Sequence, residues 1–426
     1  MNRRELLSGA GAGLLFPLSG RADASLLLQK QATPSNGRTI AMETSPSTAD
    51  TNLSNWRQSP QNHSAFHHLP SEIATARVPA GKQEAAFSRS AKSIDAFSLR
   101  LPNGSTIDLD QFLAATSTDA MIVLREGELV YETYRNGMEP TSRHIAMSAT
   151  KAVVGLLTET LAAEGAIKLD VPVTTYVPEV SSSPYAGVSA RDLLDMRVAI
   201  ALEPAQEKIY AQSVGWEPPG DRKMGFQSFL SQLRGPAWQR GGTFHYHSAN
   251  TDLLGWVLER ATSRKVQDLL SERLWMPIAG EDAALTLDWD GFARSAGGLC
   301  ATARDLVRLG QAVLLDGALG SRQVFSGHIA ASLASDGDRK AWSSGQWGES
   351  FSPISRNMSY RSGWYTVDGE TPVLFAMGVH GQNLFIDRKN KIVVAKFSSW
   401  SQPVDGRTMW LTHAAFDEVR RCLQPA

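Results

Sequence analysis

A serine and a lysine that could serve as a nucleophile and its base stand three residues apart in "IAMSATKAVVGL", residues 145–156. On a helix, Ser148 and Lys151 would share one face, with Cβ atoms about 5–6 Å apart. A serine hydroxyl needs a base to become a nucleophile, and a lysine amine is one only where burial or nearby positive charge lowers its pKa. The apolar residues after Lys151 predict burial, and a helix start offers free N–H groups to a developing oxyanion. The alternative is an ordinary helix start with a solvated serine, because a lone S-x-x-K pattern has little specificity.

Two further segments could contribute to the same site. In "FHYHSANTDLLGW", Tyr246 stands in a predicted loop just before a helix, two residues ahead of Ser248. Its phenol would either transfer protons or lie in the core with its hydroxyl bonded to the backbone. A phenol beside an ammonium group is expected to lose its proton more easily than its usual pKa of about 10 suggests. In "FAMGVHGQNLFID", Gly378 would let an acyl group approach the backbone closely.

The order of these segments resembles that of the β-lactamase-related serine hydrolases, in particular the 6-aminohexanoate-dimer hydrolases and related carboxylesterases. The resemblance covers most of the chain and rests, in order, on "NWRQSPQNHSAFHH", "MSATK", "LLDMRVAI", "FHYHSANTDLLGWVLE", "SAGGLCATARDL", "YRSGWY" and "GVHGQNLFID". It implies that Ser148 is the nucleophile, Lys151 the general base and Tyr246 the proton relay. The N–H groups of Ser148 and Val379 would form the oxyanion hole. The resemblance implies no metal and no other cofactor.

The family's third element usually reads Lys-Thr-Gly or His-x-Gly, and two registers of this chain could supply it. Ala376-Met377-Gly378 would leave the Val379 N–H as the second oxyanion donor, whereas His380-Gly381-Gln382 is the alternative. We prefer the first register because it leaves residues 380–383 as a tight hairpin turn. It places no Lys or Arg where β-lactamases and D-Ala-D-Ala peptidases bind the substrate carboxylate, which argues against a dedicated β-lactamase.

Three residues are assigned to substrate binding by the resemblance. Tyr210 is the nearest candidate for the tyrosine that contacts the substrate amide from a mobile loop in hydrolases of linear amides. Trp364, in "YRSGWY", is expected to line the pocket from a loop, with a core tryptophan as the alternative. His380 is the third, beside the predicted oxyanion segment.

The elements that must position these residues can be read from their periodicity. Residues 119–137 predict a β-hairpin around Arg125-Glu126-Gly127-Glu128, followed by the helix of the Ser–Lys pair, which ends near Gly165. Further helices are predicted from Ser189, over residues 249–263, and after Thr302 as an N-cap. Near the C-terminus three strands with tight turns precede a closing helix. This order predicts an α+β fold like that of β-lactamases and penicillin-binding proteins, in which helices flank an antiparallel sheet and a mostly helical second lobe is inserted.

Composition limits the class of protein. The chain has 426 residues, is 42% hydrophobic and has a formal net charge of −1, which gives no reason to expect nucleic-acid binding. Its two cysteines, Cys300 and Cys422, provide neither a disulfide framework nor a C-x-x-C pair, although one disulfide between them stays open. No stretch after the N-terminal region is apolar enough for a membrane helix, so the mature protein is expected off the membrane. A homodimer is expected from the resemblance alone.

The N-terminus predicts export. Arg3 and Arg4 precede a weakly hydrophobic run, and Ala22-Asp23-Ala24 offers the small residues that a signal peptidase reads. We interpret residues 1–24 as a twin-arginine signal, residues 25–90 as a leader and N-terminal extension, and residues 91–426 as the hydrolase domain, with its helical lobe at roughly 166–290. The mature protein would then be periplasmic or secreted.

The sequence therefore predicts a serine hydrolase that cleaves small esters or linear amides through a Ser148 acyl-enzyme. The alternative within that class is a β-lactamase or D-Ala-D-Ala peptidase acting on cell-wall-type substrates. A non-catalytic binding protein with the same fold is the alternative from another class.

Overall fold

The computed structural model describes residues 50–81, 87–200, 202–238 and 241–424. The predicted twin-arginine signal and the leader up to residue 49 lie outside the described residues. Within the described ranges the chain has the predicted α+β architecture, with an antiparallel sheet flanked by helices.

The strands are β1 (Thr75–Val78), β2 (Leu99–Arg100), β3 (Thr106–Ile107), β4 (Thr118–Arg125), β5 (Glu128–Tyr134), β6 (His144–Ile145), β7 (Ala283–Thr286), β8 (Leu299–Ala301), β9 (Ala318–Leu319), β10 (Arg322–Gln323), β11 (Met358–Arg361), β12 (Trp364–Val367), β13 (Val373–Gly378), β14 (Gln382–Asp387) and β15 (Ile392–Ser398). The α-helices are α1 (Asn62–Ala65), α2 (Leu109–Ala115), α3 (Thr150–Ala163), α4 (Ala190–Leu194), α5 (Pro204–Ser213), α6 (Phe226–Gln232), α7 (Ser248–Thr262), α8 (Val266–Leu270), α9 (Met276–Ile278), α10 (Ala303–Leu314), α11 (Gly327–Ser335), α12 (Arg339–Ser343) and α13 (Gly406–Leu423).

The central sheet has seven described strands in the order β11-β12-β13-β14-β15-β4-β5, and each neighbouring pair is antiparallel. The predicted hairpin forms its β4–β5 edge, where Glu126 and Gly127 adopt the positive φ angles of a tight turn. Along β4, Ile122 and Leu124 pack into the core that includes α10, whereas Met121 and Val123 pack into the core that includes α2 and α13. The sheet is therefore covered on both faces, which explains why β4 is apolar almost throughout.

The predicted helices begin and end close to the expected residues. Helix α3 ends at Ala163, and Ser189 and Thr302 cap α4 and α10 by accepting backbone N–H groups through their side chains. The three C-terminal strands are β13, β14 and β15, and α13 closes the chain. These matches follow from strong local signals: alternating apolar residues for strands, and caps followed by apolar faces for helices.

A second, four-stranded sheet in the order β1-β7-β8-β6 was not predicted. Strand β1 comes from the N-terminal extension and pairs with β7, more than 200 residues away in the chain. Nearby, Trp56 is fully buried and its indole N–H donates to the carbonyl of Trp216 at 2.9 Å. The extension between residues 50 and 81 thus packs against the body of the protein.

Two other findings concern membrane-spanning helices and the cysteines. Among the described helices, none combines the length and apolarity that crossing a bilayer requires. Cys300 is buried, Cys422 is partly exposed, and both are free thiols, so the disulfide left open between them is not formed.

Candidate active site

Ser148 lies on a strained turn at the start of helix α3. A 3-10 turn over Met147–Ala149 leads directly into the helix, and Met147 has a positive φ of 47°. A positive φ is costly for a side chain such as methionine and is found mainly where surrounding structure enforces it, often at functional sites. The turn leaves Ser148 partly exposed, while Met147 and Ala149 on either side are buried.

Lys151 lies one turn further along α3 and contacts the serine as its spacing predicted. Its Nζ is 3.1 Å from Ser148 Oγ, 3.2 Å from Ser248 Oγ and 2.6 Å from the carbonyl oxygen of Ala296. The side chain is only 2% exposed. Burial lowers the pKa of Lys151 to about 7; the negative charge of Asp252 opposes this shift and the positive charge of Arg294 adds to it. A large fraction of the amine is therefore unprotonated at neutral pH.

Tyr246 lies beside this pair, in the loop before α7. Its ring centroid is 4.8 Å from Lys151 Nζ, its ring stacks on Trp347 at 4.3 Å, and it lines the same pocket as Ser148. The backbone N–H of Tyr246 donates to Gln346 Oε1 at 2.9 Å, which holds the loop in place.

The expected direction of the Tyr246 pKa is wrong. Burial raises the pKa of Tyr246, and this outweighs the lowering by the hydrogen bond to Ser148 and by the charge of Arg294. The expectation assumed an ammonium partner, but burial also disfavours the ammonium form of Lys151. The phenol therefore keeps its proton at neutral pH.

Strand β13 ends against the nucleophile turn, and glycine makes this approach possible. A Cβ atom on Gly378 would lie 2.6 Å from the Ala146 carbonyl oxygen and 2.9 Å from the Ser148 nitrogen. The preferred register of the third element is therefore the one that lies beside Ser148, and Val379 follows it at the pocket wall. The reversal of the chain occupies residues 379–381 rather than 380–383, because Gln382 already pairs with Gly378 in β14.

The three residues predicted to bind substrate lie in the interior instead. Tyr210 is fully buried on α5 and its hydroxyl donates to Asp252 at 2.5 Å. Trp364 is fully buried in β12, and its indole N–H donates to the Ala152 carbonyl at 3.0 Å. His380 is 1% exposed, and its Nδ1 lies 2.7 Å from the Trp400 carbonyl oxygen. None of the three lines the pocket at Ser148, because each aromatic side chain satisfies its polar atom within the core.

Two residues around the site, Asp252 and Arg294, were not predicted, and Ser248 was named beside Tyr246 without a role of its own. Ser248 begins α7, and Asp252 lies one turn later on the same helix, fully buried, where it accepts the backbone N–H of Ala296 at 2.9 Å. The sequence does contain a hint of Asp252, because it is the one carboxylate in "ANTDLLGW", a segment of α7 whose residues are all buried. Arg294 and Ala296 reach the site only through the tertiary fold, since no local pattern connects them with Lys151.

The pocket at the nucleophile is small and largely apolar, with a cavity volume of about 40 Å³. It is lined by Ser148, Tyr246, Trp347, Phe351, Tyr365, Met377, Gly378, Val379, Trp400, Pro403, Val404 and Met409. A larger cavity of about 230 Å³ lies behind Phe244, lined by the ion pairs Arg197–Asp338 and Arg361–Asp195. It does not include Ser148, so the smaller pocket is the one placed to receive a reacting carbonyl.

A family model described as Beta-lactamase matches residues 109–417. The chain belongs to the beta-lactamase family. A 6-aminohexanoate-dimer hydrolase of Paenarthrobacter ureafaciens is 38% identical over 364 residues, which are 82% of this chain and 88% of that protein. The protein is accordingly a serine hydrolase of this family.

Solved structures agree with this family membership. A Bacillus anthracis protein provisionally named a 6-aminohexanoate-dimer hydrolase has a TM-score of 0.79 and 26% identity, covering 89% of this chain and 98% of its own. A family VIII carboxylesterase has a TM-score of 0.51 and 17% identity, and the match covers 74% of this chain and 96% of the carboxylesterase. A class C beta-lactamase of Rhodobacter sphaeroides has a TM-score of 0.51 and 16% identity, and the match covers 74% of this chain and 98% of the beta-lactamase. The last two comparisons show the shared fold alone.

Proposed function

We propose that the protein hydrolyses small esters and linear amides through an acyl-enzyme on Ser148, as a 6-aminohexanoate-dimer hydrolase or carboxylesterase would. The observation that carries the proposal is the buried Lys151 amine, with a pKa of about 7, lying 3.1 Å from Ser148 Oγ. Such an amine is an effective general base at neutral pH, because its free form is abundant and lies within hydrogen-bond distance of the proton that it must accept.

Acylation uses the contacts at Lys151. The free amine donates to the Ala296 carbonyl and to Ser248, so its lone pair is available to the hydroxyl of Ser148. Lys151 Nζ takes the proton as Ser148 Oγ forms a bond to the substrate carbonyl carbon. The backbone N–H groups of Ser148 and Val379 stabilise the oxyanion that develops on the substrate.

Tyr246 acts as the acid toward the leaving group. Its phenol is protonated at neutral pH and lines the pocket together with Ser148, so it can give its proton to the alcohol or amine as the scissile bond breaks. The Lys151 ammonium then returns a proton to the phenolate. In the second half-reaction water attacks the acyl carbon, the same groups move the proton in reverse, and the acid leaves Ser148 free.

The pocket favours a small, apolar group directly beside the reacting carbonyl. A cavity of about 40 Å³ holds roughly three to four non-hydrogen atoms, since one water needs about 10–15 Å³ on the same measure. Apart from Ser148, its lining side chains are aromatic or aliphatic, and two of them, Tyr246 and Tyr365, have a hydroxyl group. The cavity therefore has room for the atoms next to the reacting carbonyl, and a longer acyl chain such as 6-aminohexanoyl would have to extend out of it.

The β-lactam and D-Ala-D-Ala alternative finds no specific support in the site. None of the described residues that line the pocket is a Lys or Arg, so the substrate carboxylate of those reactions has no cation to pair with there. We therefore expect negligible turnover of nitrocefin.

A side-by-side assay tests the proposal. Wild-type protein and Ser148→Ala would be given p-nitrophenyl acetate, p-nitrophenyl butyrate, the linear 6-aminohexanoate dimer and nitrocefin at pH 8. We expect turnover of the esters or the linear amide by the wild type, and its loss in Ser148→Ala. Full activity of Ser148→Ala, or hydrolysis of nitrocefin alone, would contradict the proposal.

Ser399 offers a demanding control for the identity of the nucleophile. Its Oγ lies 3.0 Å from Asp119 Oδ1 and 3.1 Å from His63 Nδ1, so it has the partner types of a catalytic serine. It is fully buried, however, and no substrate can reach it. A fluorophosphonate probe should label the wild type and Ser399→Ala but not Ser148→Ala.

We also propose that the protein is exported folded by the twin-arginine route to the periplasm or beyond. Arg3, Arg4, the apolar run and Ala22-Asp23-Ala24 support this proposal. Replacing both arginines with lysine should leave activity in the cytoplasmic fraction, and unchanged export would refute it. The homodimer suggested by the resemblance is tested by light scattering coupled to size-exclusion chromatography.

A further inference from the structure

Arg294 is a buried cation that is only partly satisfied by its surroundings. The residue is 7% exposed, and its guanidinium carbon lies 4.0 Å from the ring centroid of Trp216. Its Nε and Nη1 are buried and have no hydrogen-bond partner within the described ranges of the chain. A buried charge of this kind destabilises the fold, so its presence calls for an explanation.

The guanidinium lies next to the nucleophile turn. A Cβ atom on Gly297 would be 3.0 Å from the Trp216 ring, 3.6 Å from Arg294 Nε and 3.7 Å from the carbonyl carbon of Met147. The backbone that carries Arg294 also supplies Ala296, whose carbonyl binds Lys151 Nζ at 2.6 Å. Arg294 is thus close to the catalytic groups without lining the substrate pocket.

Asp252 has the opposite charge and binds the backbone of the same segment through Ala296. It is fully buried and accepts the Tyr210 hydroxyl at 2.5 Å and the Ala296 N–H at 2.9 Å. Its charge favours the ammonium form of Lys151, whereas the charge of Arg294 disfavours it. With Lys151 neutral, the buried charges of Asp252 and Arg294 balance, and a proton on Lys151 would add an unbalanced positive charge away from water.

We propose that Arg294 is a positioning residue that acts through Lys151: its positive charge, buried near the nucleophile turn, partly offsets Asp252 and so adds to the effect of burial in keeping the lysine amine ready to accept the Ser148 proton. This inference rests on the proposed role of Lys151 as the base. The groups that face Lys151 are Ser148, Tyr246, Ser248, Asp252, Arg294 and the carbonyl of Ala296. Of the two charged side chains among the described residues that act on Lys151, Asp252 favours its protonation and Arg294 opposes it.

The Arg57–Glu217 ion pair, at 2.7 Å, completes the charged surroundings of Arg294. Arg57 belongs to the N-terminal extension, and its positive charge and that of Arg294 act on each other. Glu217 directly follows Trp216, on which Arg294 stacks. Arg57 and Glu217 pair with each other, so the variants below are designed to alter one charge.

The test is the pH dependence of kcat/KM with p-nitrophenyl butyrate for wild type, Arg294→Met and Arg294→Lys between pH 6 and 9.5. In wild type, kcat/KM rises with pH as Lys151 loses its proton, and we call this rise the acid limb. In Arg294→Met we expect the acid limb to move up by about one pH unit, because no positive charge then opposes the effect of Asp252 on Lys151. Its activity would fall about fivefold at pH 7 and return to near the wild-type value above pH 9. Arg294→Lys keeps the charge and should keep the limb near the wild-type position.

Arg308 supplies a matched control. It is also 7% exposed, but it is paired with Asp305 at 2.6 Å and is absent from the groups that act on Lys151. Arg308→Gln should lower the melting temperature without moving the acid limb. If Arg294→Met loses activity equally at every pH, or keeps the wild-type limb, Arg294 has only a packing role and the inference is overturned.

Two further variants keep the inference testable if Arg294→Met does not fold. Asp252→Asn removes the opposing charge and should move the acid limb to lower pH, and Arg294→Gln should repeat the upward shift. Unmoved limbs in both variants would overturn the inference. Absence of turnover in the wild type would instead contradict the proposed function, so the two failures are distinguishable.

Discussion

Replacing Gly378 with alanine tests the oxyanion hole with a single methyl group. The backbone of Gly378 has φ −132° and ψ 153°, an extended conformation that alanine adopts without strain. The cost of the change is therefore steric: the new Cβ would lie 2.6 Å from the Ala146 carbonyl oxygen, 2.9 Å from the Ser148 nitrogen and 3.0 Å from Met147 Cβ. Either β13 or the nucleophile turn must give way by several tenths of an ångström.

This displacement acts on the donors that would hold the oxyanion. Such donors are effective at about 2.7–3.1 Å from the developing charge, and loss of one costs about 10²–10³-fold in kcat, or about 2.7–4 kcal/mol. We expect Gly378→Ala to lose kcat by about this factor with a smaller change in KM. Overpacking should also lower the free energy of unfolding by about 1–3 kcal/mol.

The assay measures kcat and KM with p-nitrophenyl acetate alongside thermal unfolding. Gly369→Ala is the matched control, since a Cβ at Gly369 meets nothing within 4 Å. It should behave as wild type in both measurements. A folded Gly378→Ala enzyme with kcat within about threefold of wild type would refute the argument that the end of β13 forms part of the catalytic geometry.

Three other predictions follow from the buried lysines. Lys151→Arg keeps the positive charge but cannot release its proton, so kcat should fall at least about 10²-fold while circular dichroism and the melting temperature show a folded protein; an active variant would mean that the base lies elsewhere. Because burial lowers the pKa of Lys151 to about 7 and the free amine is the active form, wild-type kcat/KM should rise with pH through about 7 and level off above 8; a limb near pH 4–5 would indicate a carboxylate base instead. Burial likewise lowers the pKa of Lys396 to about 7. Between pH 7 and about 10, the unfolded chain therefore binds a proton that the folded protein has released. Over this range Lys396 should make the free energy of unfolding rise by about 1.4 kcal/mol per pH unit. Urea unfolding of Lys396→Met should lack this contribution and show greater stability than wild type at pH 7; an unchanged slope would contradict the assignment.

The sequence predictions fail where an aromatic side chain could lie either at the pocket or in the core. Ser362 and Gly363 before Trp364 predict a loop, yet those two residues form the tight turn of the β11–β12 hairpin and the tryptophan begins the next strand. Gly363, with φ +87°, lets this turn pack against the backbone of Lys151. A turn signal marks where the chain reverses, but it does not say which face the following aromatic residue occupies.

The sequence by itself determined the nucleophile turn, the order of the elements and the family, because these depend on local spacing and on motifs read along the chain. Ser148 and Lys151 meet as their separation on a helix requires, and the hairpins and caps form where their residue types predict. Only the tertiary structure decided the protonation of the site. The lowered pKa of Lys151, the protonated Tyr246 and the opposed charges of Asp252 and Arg294 depend on burial among segments more than 40 residues apart in the chain. Electrostatic free energies depend on the distances between groups and on how far water is excluded from them, and a linear pattern contains neither quantity.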